Sequence, residues 1–225
     1  MSATKNLVSH DWLSAHLSDP DIIIVDATVH LPDTGRNAKA EYLSEHLPGA
    51  RFFDMDVISD PDNPRPRKIP SAARFADEVG KLGIHNGSHV VAYDTLGLYS
   101  AARVWWLFRQ FGHDRVSVLD GGLVAWKKAG LPVTAEPVTI TPSHFAVTSQ
   151  RDLVTRWSEV LAQCERRAQI LDARTQGRWA GTEVDRYPGA RPGHIPGSRC
   201  LYWGDLLDRD SRKLLPPELL KEKFA

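Results

Sequence analysis

The chain contains one hexapeptide pattern twice, as HLPGAR at residues 46–51 and as HIPGSR at residues 194–199, an offset of 148 positions. Two shorter patterns recur in the same order at an offset of 146: Leu7-Val8-Ser9 returns as Leu153-Val154-Thr155, and Val25-Asp26-Ala27 returns as Leu171-Asp172-Ala173. Three ordered matches at nearly the same offset indicate an internal repeat with a two-residue insertion. The sequence therefore predicts two copies of one fold.

The first copy alternates short apolar runs with helix-like segments. Strands are predicted at residues 22–25, 90–93 and 116–119. Helices are predicted at residues 9–17, at 40–46, between Ser71 and Gly83, at 101–111 with Trp105, Phe108 and Phe111 facing inward, and at 123–129. Strands that alternate with helices predict an α/β fold, a mostly parallel sheet covered by helices on both faces. Each copy is expected to form such a domain, the second one incompletely.

The domain boundaries are predicted from the repeat and from local composition. Residues 1–135 form the first repeat, residues 136–150 a linker rich in proline and threonine, and residues 151–225 the second repeat. In the second repeat, the counterpart of Asp94 would fall near position ~242, beyond Ala225. We therefore expect the second repeat to lack roughly 55 residues at its C-terminal side.

The composition excludes several classes of protein. Of 225 residues, 42% are hydrophobic and 25% are charged, as in ordinary globular proteins. Basic and acidic residues number 28 each, so no overall charge favours nucleic acid or a membrane surface as a partner. Two cysteines are too few for a disulfide scaffold or a cysteine metal cluster, and no cofactor or metal is expected. Without a long apolar run or a signal-peptide core, the chain is predicted to be cytoplasmic.

Several motifs together resemble the tandem rhodanese family, which includes thiosulfate and 3-mercaptopyruvate sulfurtransferases. They are HLPGA at residues 46–50, YSAARVWW at 99–106, LDGG at 119–122 with Trp126, and DAR at 172–174 leading to GHIPG at 193–197. The resemblance implies that an N-terminal repeat without catalytic activity packs against a C-terminal repeat with a cysteine nucleophile. That cysteine takes sulfane sulfur from a small anionic donor as a persulfide and passes it to a thiol or to cyanide.

The chemistry of a sulfur nucleophile explains why such proteins place it in a strand-to-helix loop. A free thiol has a pKa of about 8.5 and is mostly protonated at neutral pH, whereas the thiolate is the reactive form. Backbone N–H groups at the positive end of a helix stabilise the anion. In the first repeat the corresponding loop, residues 94–100, begins with Asp94, which cannot hold sulfane sulfur. The first repeat is therefore predicted to be inactive, and the nucleophile is expected beyond Ala225.

The two cysteines of the chain are weak candidates for the nucleophile. Cys164 lies on a helix predicted at residues 158–168, and Cys200 corresponds by the repeat to Phe52, a position expected in the core. An apolar environment raises the pKa of a thiol and makes it unreactive.

The donors of the family are anions, so cationic side chains should bind them. Arginine suits this role because its planar guanidinium donates two hydrogen bonds to a carboxylate or sulfonate. Arg178 resembles the donor-binding arginine of the family; the alternative is a solvated arginine on a loop. Mercaptopyruvate-specific members have a second arginine where this chain has Tyr187, and Arg186 or Arg191 is expected to substitute for it.

A second departure from the mercaptopyruvate pattern lies in the proline-rich loop of the first repeat. Asp56 matches an aspartate of the family, but Arg67 stands where the partner histidine would be. Arginine, with a pKa above about 12, cannot relay a proton, although it can add positive charge near a donor. Tyr99 resembles a first-repeat residue that faces the active site, and a purely structural tyrosine is the alternative.

Two functions remain open at this point. The first is a sulfurtransferase that moves sulfane sulfur from thiosulfate or 3-mercaptopyruvate, and the match at Arg178 favours it. The second is an inactive rhodanese-like binding or regulatory module, which the departures at Arg67 and Tyr187 favour. The preferred donor, the acceptor and the oligomeric state are left undetermined.

Overall fold

The computed structural model describes residues 5–31, 34–63, 66–166, 168–184 and 189–225. The chain forms two compact units. The first reaches to Arg151 and also includes Asp210–Lys213; the second consists of Asp152–Arg209 and Leu214–Ala225. Among the described residues, no helix is long and apolar enough to cross a membrane.

The first unit is built on five parallel strands. They are β1 (Leu7–Val8), β2 (Ile22–Asp26), β3 (Arg51–Phe52), β4 (His89–Tyr93) and β5 (Val116–Leu119). Their order across the sheet is β1-β5-β4-β2-β3. Strands β2 and β4 pair over five residues, from Ile22 with His89 to Asp26 with Tyr93.

Among the described residues, five helices connect these strands and a sixth follows β5. They are α1 (His10–Ala15), α2 (Ala38–Ser44), α3 (Met55–Ile58), α4 (Ala72–Lys81), α5 (Ala101–Gln110) and α6 (Gly122–Lys128). Ser9 and Ser71 are the N-caps of α1 and α4, and their side chains accept hydrogen bonds from the backbone N–H groups of Trp12 and Arg74. Helix α2 begins two residues before the predicted start because Asn37 is its N-cap.

The two faces of the sheet are buried by different helices. On one face, Val25, Val90 and Val118 pack against Phe75 of α4 and Phe108 of α5. On the other face, strand residues pack against Leu13 of α1 and Trp126 of α6: Val8, Ile24, Val91, Tyr93 and Leu119. This two-residue alternation along central strands confirms the predicted α/β fold with a parallel sheet covered on both faces.

Of the three aromatic residues of α5 that were predicted to face inward, one is less buried than expected. Phe108 and Phe111 are buried as predicted, whereas Trp105 is only partly buried. The guanidinium of Arg109 lies 5.0 Å from the centre of a Trp105 ring and covers part of it. Trp105 therefore lies at the edge of the core rather than inside it.

The predicted linker, residues 136–150, lies along the first unit without regular secondary structure. Phe145 is buried in the core with Phe75 and Phe108. The side-chain amide of Asn86 pairs with the backbone of Ala146: its Nδ2 donates to the Ala146 carbonyl at 2.7 Å, and its Oδ1 accepts from the Ala146 N–H at 2.9 Å. These contacts hold the segment on the first unit up to Arg151.

The second unit contains a pair of parallel strands among its described residues. Its elements are α7 (Trp157–Glu165), β6 (Leu171–Asp172), α8 (Gln176–Ala180), β7 (Arg199–Cys200) and α9 (Pro217–Phe224). The register pairs Leu171 with Arg199 and Asp172 with Cys200. The same register occurs in the first unit, where β2 and β3 pair Val25 with Arg51 and Asp26 with Phe52. The two pairs of strands thus share one register at the positions that the sequence offsets relate.

Candidate active site

The loop after β4 binds its own first side chain. The carboxylate of Asp94 accepts hydrogen bonds from the backbone N–H groups of Leu96, Ser100 and Ala101, each at 2.8 Å. Asp94 is 1% exposed, and Ala101 begins α5. The loop therefore forms an anion site at a helix N-terminus, and a carboxylate fills it. That this loop takes no part in sulfur transfer remains a prediction, and residues 94–100 are called the silent loop below in that sense.

Asp56 and Arg67 are brought together in the first unit. The Nε and Nη2 atoms of Arg67 donate to the two carboxylate oxygens of Asp56, at 2.9 and 3.3 Å. Arg67 has a φ of 59°, in the left-handed region that side chains rarely adopt. Because the carboxylate of Asp56 balances its charge, Arg67 adds less positive charge to its surroundings than the sequence suggested.

Tyr99 is half-buried in the same loop as Asp94, two residues before α5. Near it, Arg103 on α5 lies with its guanidinium 4.6 Å from a Trp106 ring centre and donates to the carbonyl of Arg67 at 3.3 Å. Burial lowers the pKa of the Arg103 guanidinium. The structure thus links the silent loop, residues 94–100, to the Arg67 segment through the start of α5.

The histidine turns of the two repeats use the same contacts. In the first unit, His46 Nδ1 donates to the carbonyl of Tyr42 at 2.7 Å, and the two rings stack at 4.3 Å. In the second unit, His194 Nδ1 donates to the carbonyl of Trp179 at 2.8 Å, and those rings stack at 4.0 Å. Each histidine thereby ties its turn to the preceding helix, α2 or α8.

Arg178 lies on helix α8, not on a loop. Thr175 caps this helix by accepting a hydrogen bond from the N–H of Arg178 at 3.3 Å, and Gly181 ends it with a φ of 77°. Helix α8 was not predicted, although its N-cap threonine and its C-terminal glycine, six residues apart, are signals of a short helix. The helix gives the predicted donor-binding arginine a defined backbone position.

Asp172 and Arg174 form an ion pair in the second unit, and neither residue was predicted to have a role. Arg174 donates to both carboxylate oxygens of Asp172, with a closest distance of 2.7 Å, and to the carbonyl of Gly193 at 2.7 Å. The hydrogen bonds from Arg174 lower the pKa of Asp172, and the nearby charge of Arg178 lowers it further. The pair therefore links β6 to the segment that precedes His194.

Arg191 lies in an open cavity of about 710 Å³ in the second unit. Asp172, Arg174 and His194 also line this cavity, whereas Arg178 is not among its lining residues. Arg186 and Tyr187 lie outside the described residues. Tyr99 and Arg67 belong to the first unit, and Arg178 and Arg191 belong to the second.

Cys200 remains a weak candidate for the nucleophile, but for a different reason from the one that the sequence suggested. The position is not in the core, since Cys200 and its counterpart Phe52 are both only partly buried. Partial burial still raises the pKa of the Cys200 thiol, as do the carboxylates of Asp172 and Asp205. Cys164 is partly buried on α7. Among the described residues, no group of three or more His, Cys, Asp or Glu side chains could bind a metal ion.

Comparison with known proteins identifies the fold first. The family model of the rhodanese-like domain matches residues 9–129. The structure of SseA from Escherichia coli, described as a 3-mercaptopyruvate sulfotransferase, superposes with a TM-score of 0.87 and 37% identity over 98% of this chain and 83% of SseA. The class of protein is thus a rhodanese-like α/β protein.

Two relatives narrow the class to a family. The mitochondrial thiosulfate/3-mercaptopyruvate sulfurtransferase 1 of Arabidopsis thaliana is 39% identical over 100% of this chain and 65% of its own length. Thiosulfate sulfurtransferase of Bos taurus is 43% identical over 96% of this chain and 75% of its own length. The chain belongs to the tandem rhodanese family of thiosulfate and 3-mercaptopyruvate sulfurtransferases. The predicted family and enzyme class, sulfurtransferase, are confirmed.

Proposed function

We propose that the protein containing this chain moves sulfane sulfur from thiosulfate or 3-mercaptopyruvate to a thiol or to cyanide. The observation that supports this best is the silent loop, in which three backbone N–H groups converge on one anionic group at the start of α5. A loop of this shape with a cysteine in place of Asp94 would stabilise a thiolate and, after reaction, a persulfide anion.

The nucleophilic cysteine lies, in this proposal, in a continuation of the chain beyond Ala225. Two facts support the placement: β6 and β7 repeat the register of β2 and β3, and the relatives are longer than this chain. With thiosulfate, the thiolate attacks the outer sulfur, the S–S bond breaks, and sulfite leaves with the electron pair. Cyanide then attacks the persulfide sulfur, which yields thiocyanate and returns the thiolate.

Arg178 is proposed as the main donor-binding residue, together with Arg191 and Arg186. The position of Arg178 on a capped helix supports this role, as does the location of Arg191 in a cavity beside the Asp172–Arg174 pair. Tyr99 and Arg67 remain proposed as further donor contacts. Since Arg67 is paired with Asp56, that carboxylate offsets part of the positive charge that Arg67 offers a donor.

The proposed partners are a small anionic sulfur donor and a thiol or cyanide acceptor, with neither nucleic acid nor a membrane. Equal numbers of basic and acidic residues support the exclusion of nucleic acid. The proposed location is the cytoplasm, which the two free cysteines of the chain support because thiols stay reduced there.

Replacement of Arg178 in the complete protein tests the proposal. Arg178→Ala should lower kcat/KM for thiosulfate or 3-mercaptopyruvate at least about tenfold, because a charged hydrogen bond to the donor is worth about 1.5–3 kcal/mol. Transfer from the preformed persulfide to cyanide should change much less.

Arg166→Ala is the matched control, since Arg166 is exposed at the end of α7, and it should leave kcat/KM unchanged. Equal donor kinetics in the Arg178 and Arg166 variants would exclude Arg178 as a donor-binding residue. A complete protein that forms no persulfide with either donor would contradict the enzyme and support the inactive binding module.

A further inference from the structure

Residues Asp210–Lys213 belong to the first compact unit although they follow β7 in the chain. They lie against the silent loop. The Nε atom of Arg212 donates to the carbonyl of Leu96 at 3.0 Å, and Lys128 Nζ donates to the carbonyl of Asp210. The silent loop is therefore in contact with a segment from the far end of the sequence.

Two glycines of the first repeat permit this contact. A Cβ atom at Gly97 would lie 2.7 Å from the carbonyl oxygen of Arg212 and 2.9 Å from its Cβ. A Cβ atom at Gly121 would clash with the Cβ of Ala125 on α6 and would lie 2.8 Å from the carbonyl oxygen of Ser211. Because the two oxygens belong to the backbone, they cannot rotate away as a side chain would. A larger residue at Gly97 must displace the segment or the loop, and one at Gly121 must displace the segment and α6.

The backbone of the segment is strained where it meets the loop. Arg212 has a φ of 59°, one of two positive values among the described residues other than glycine. A non-glycine residue keeps such a conformation when surrounding contacts hold it there. The contacts of Arg212 with Leu96 and Gly97 are of this kind.

The two sides of the silent loop have separate partners. Its N–H groups at Leu96, Ser100 and Ala101 bind the Asp94 carboxylate inside the loop. Its carbonyl at Leu96 binds Arg212 on the outside. The N–H groups of the loop therefore bind an anion, Asp94, whereas the Leu96 carbonyl binds a cation, Arg212.

We propose that the silent loop is an intramolecular docking site whose ligand is the segment Ser211-Arg212-Lys213. The site recognises a guanidinium through the Leu96 carbonyl and a close-lying backbone through Gly97 and Gly121. This gives the first repeat a function that does not depend on sulfur chemistry. The loop that cannot hold sulfur fixes a distant part of the chain.

Hydrogen exchange of the complete protein, measured by mass spectrometry, tests the docking site. Gly97→Ala should speed exchange in residues 211–213 and in the silent loop at least about tenfold, because the added methyl group expels the segment. Gly130→Ala is the matched control: Gly130 also has a positive φ, 70°, but no atom lies within 4 Å of its Cβ position. It should leave exchange in both segments unchanged, and wild-type exchange in the Gly97 variant would overturn the proposal.

A second variant, Arg212→Gly, tests the docking site if Gly97→Ala unfolds the whole first unit. This variant removes the guanidinium and the Cβ of Arg212 and relieves its strained φ. Because the substitution lies outside the silent loop, the backbone of that loop should keep its fold. Residues 211–213 should exchange several times faster, with exchange in β4 unchanged. Unchanged protection of residues 211–213 in this variant would contradict docking through Arg212.

Discussion

The two repeats share local geometry but differ in burial. The β2–β3 register and the stacked histidine of the first unit recur in the second. Yet Val25 is 0% exposed and its counterpart Leu171 is 53% exposed, while Leu47 is 0% exposed and Ile195 is 44% exposed. Contacts between residues close in sequence therefore form in both repeats. Burial of the same positions in the first unit depends on β4, β5 and the helices that cover them.

The carboxylates at the end of β2 and β6 show the same contrast in electrostatics. Burial raises the pKa of Asp26, although the hydrogen bonds from Thr28 act in the opposite direction. Hydrogen bonds from Arg174 lower the pKa of Asp172, the counterpart in the second repeat. The pKa of the carboxyl group at one position of the repeat is thus raised in the first unit and lowered in the second.

Truncation of the apolar residue in each histidine turn should give the largest difference in stability between the two repeats. Leu47→Ala removes a fully buried side chain and should lower the free energy of unfolding of the first unit by about 2–4 kcal/mol. Ile195→Ala should cost the second unit less than about 1 kcal/mol, since the side chain is already half exposed. Denaturant unfolding of this chain measures both values. Equal losses would show that the turns are buried alike.

Amide substitution of the paired aspartates should give changes of opposite sign. Asp26→Asn keeps an acceptor for the Thr28 N–H and removes a charge from a buried site, so it should stabilise the first unit by about 1 kcal/mol at neutral pH. Asp172→Asn breaks the ion pair with Arg174 and should destabilise the second unit by about 1 kcal/mol.

The pH dependence of those two changes provides the control. A raised pKa of Asp26 means that its stabilisation is present at low pH and is lost as the pH rises through the folded-state value. A lowered pKa of Asp172 means that its stabilisation is present above the unfolded value and is lost in acid. Unfolding measured at neutral and acidic pH should therefore show both differences shrink in acid. Changes of the same sign at neutral pH would contradict the contrast.

A drop in pH should also lower the stability of the first unit through two histidines, by less than the substitutions above. Burial lowers the pKa of His89 and of His113, with the positive charge of Arg115 adding to the effect at His89. The unfolded chain then binds more protons below its ordinary histidine pKa of about 6.5, so stability falls as the pH drops below that value. The melting temperature should fall by a few degrees between about pH 7 and about pH 5. His89→Gln should reduce this slope, and a flat profile would show that the histidines titrate normally.

The fold could be predicted because the sequence contains two copies of one pattern, which can be compared with each other. Offsets at residues 7–9, 25–27 and 46–51 predicted a second copy, and β6 and β7 pair with the register that those offsets imply. Strand β1 was missed because two residues, Leu7–Val8, become a strand only by pairing with the distant β5. Helix α3 was missed because four residues show no helical periodicity.

Contacts between distant segments could not be predicted from the sequence. The return of residues 210–213 to the first unit has no local signal, and neither has the Arg174–Gly193 hydrogen bond. Asp56 and Arg67 were each identified, but only the structure shows that they neutralise one another. The conformation of a proline-rich loop cannot be predicted from its sequence, so the pairing of these two side chains could not be predicted either.

The position of the persulfide is the most direct test of where the nucleophilic cysteine lies. The complete protein would be incubated with thiosulfate, its thiols blocked, and its peptides analysed by mass spectrometry for an added sulfur atom. The account predicts that the sulfur is found on a cysteine beyond Ala225, with Cys164 and Cys200 unmodified. An added sulfur on Cys200 or Cys164 would contradict it, because the nucleophile would then lie within these 225 residues.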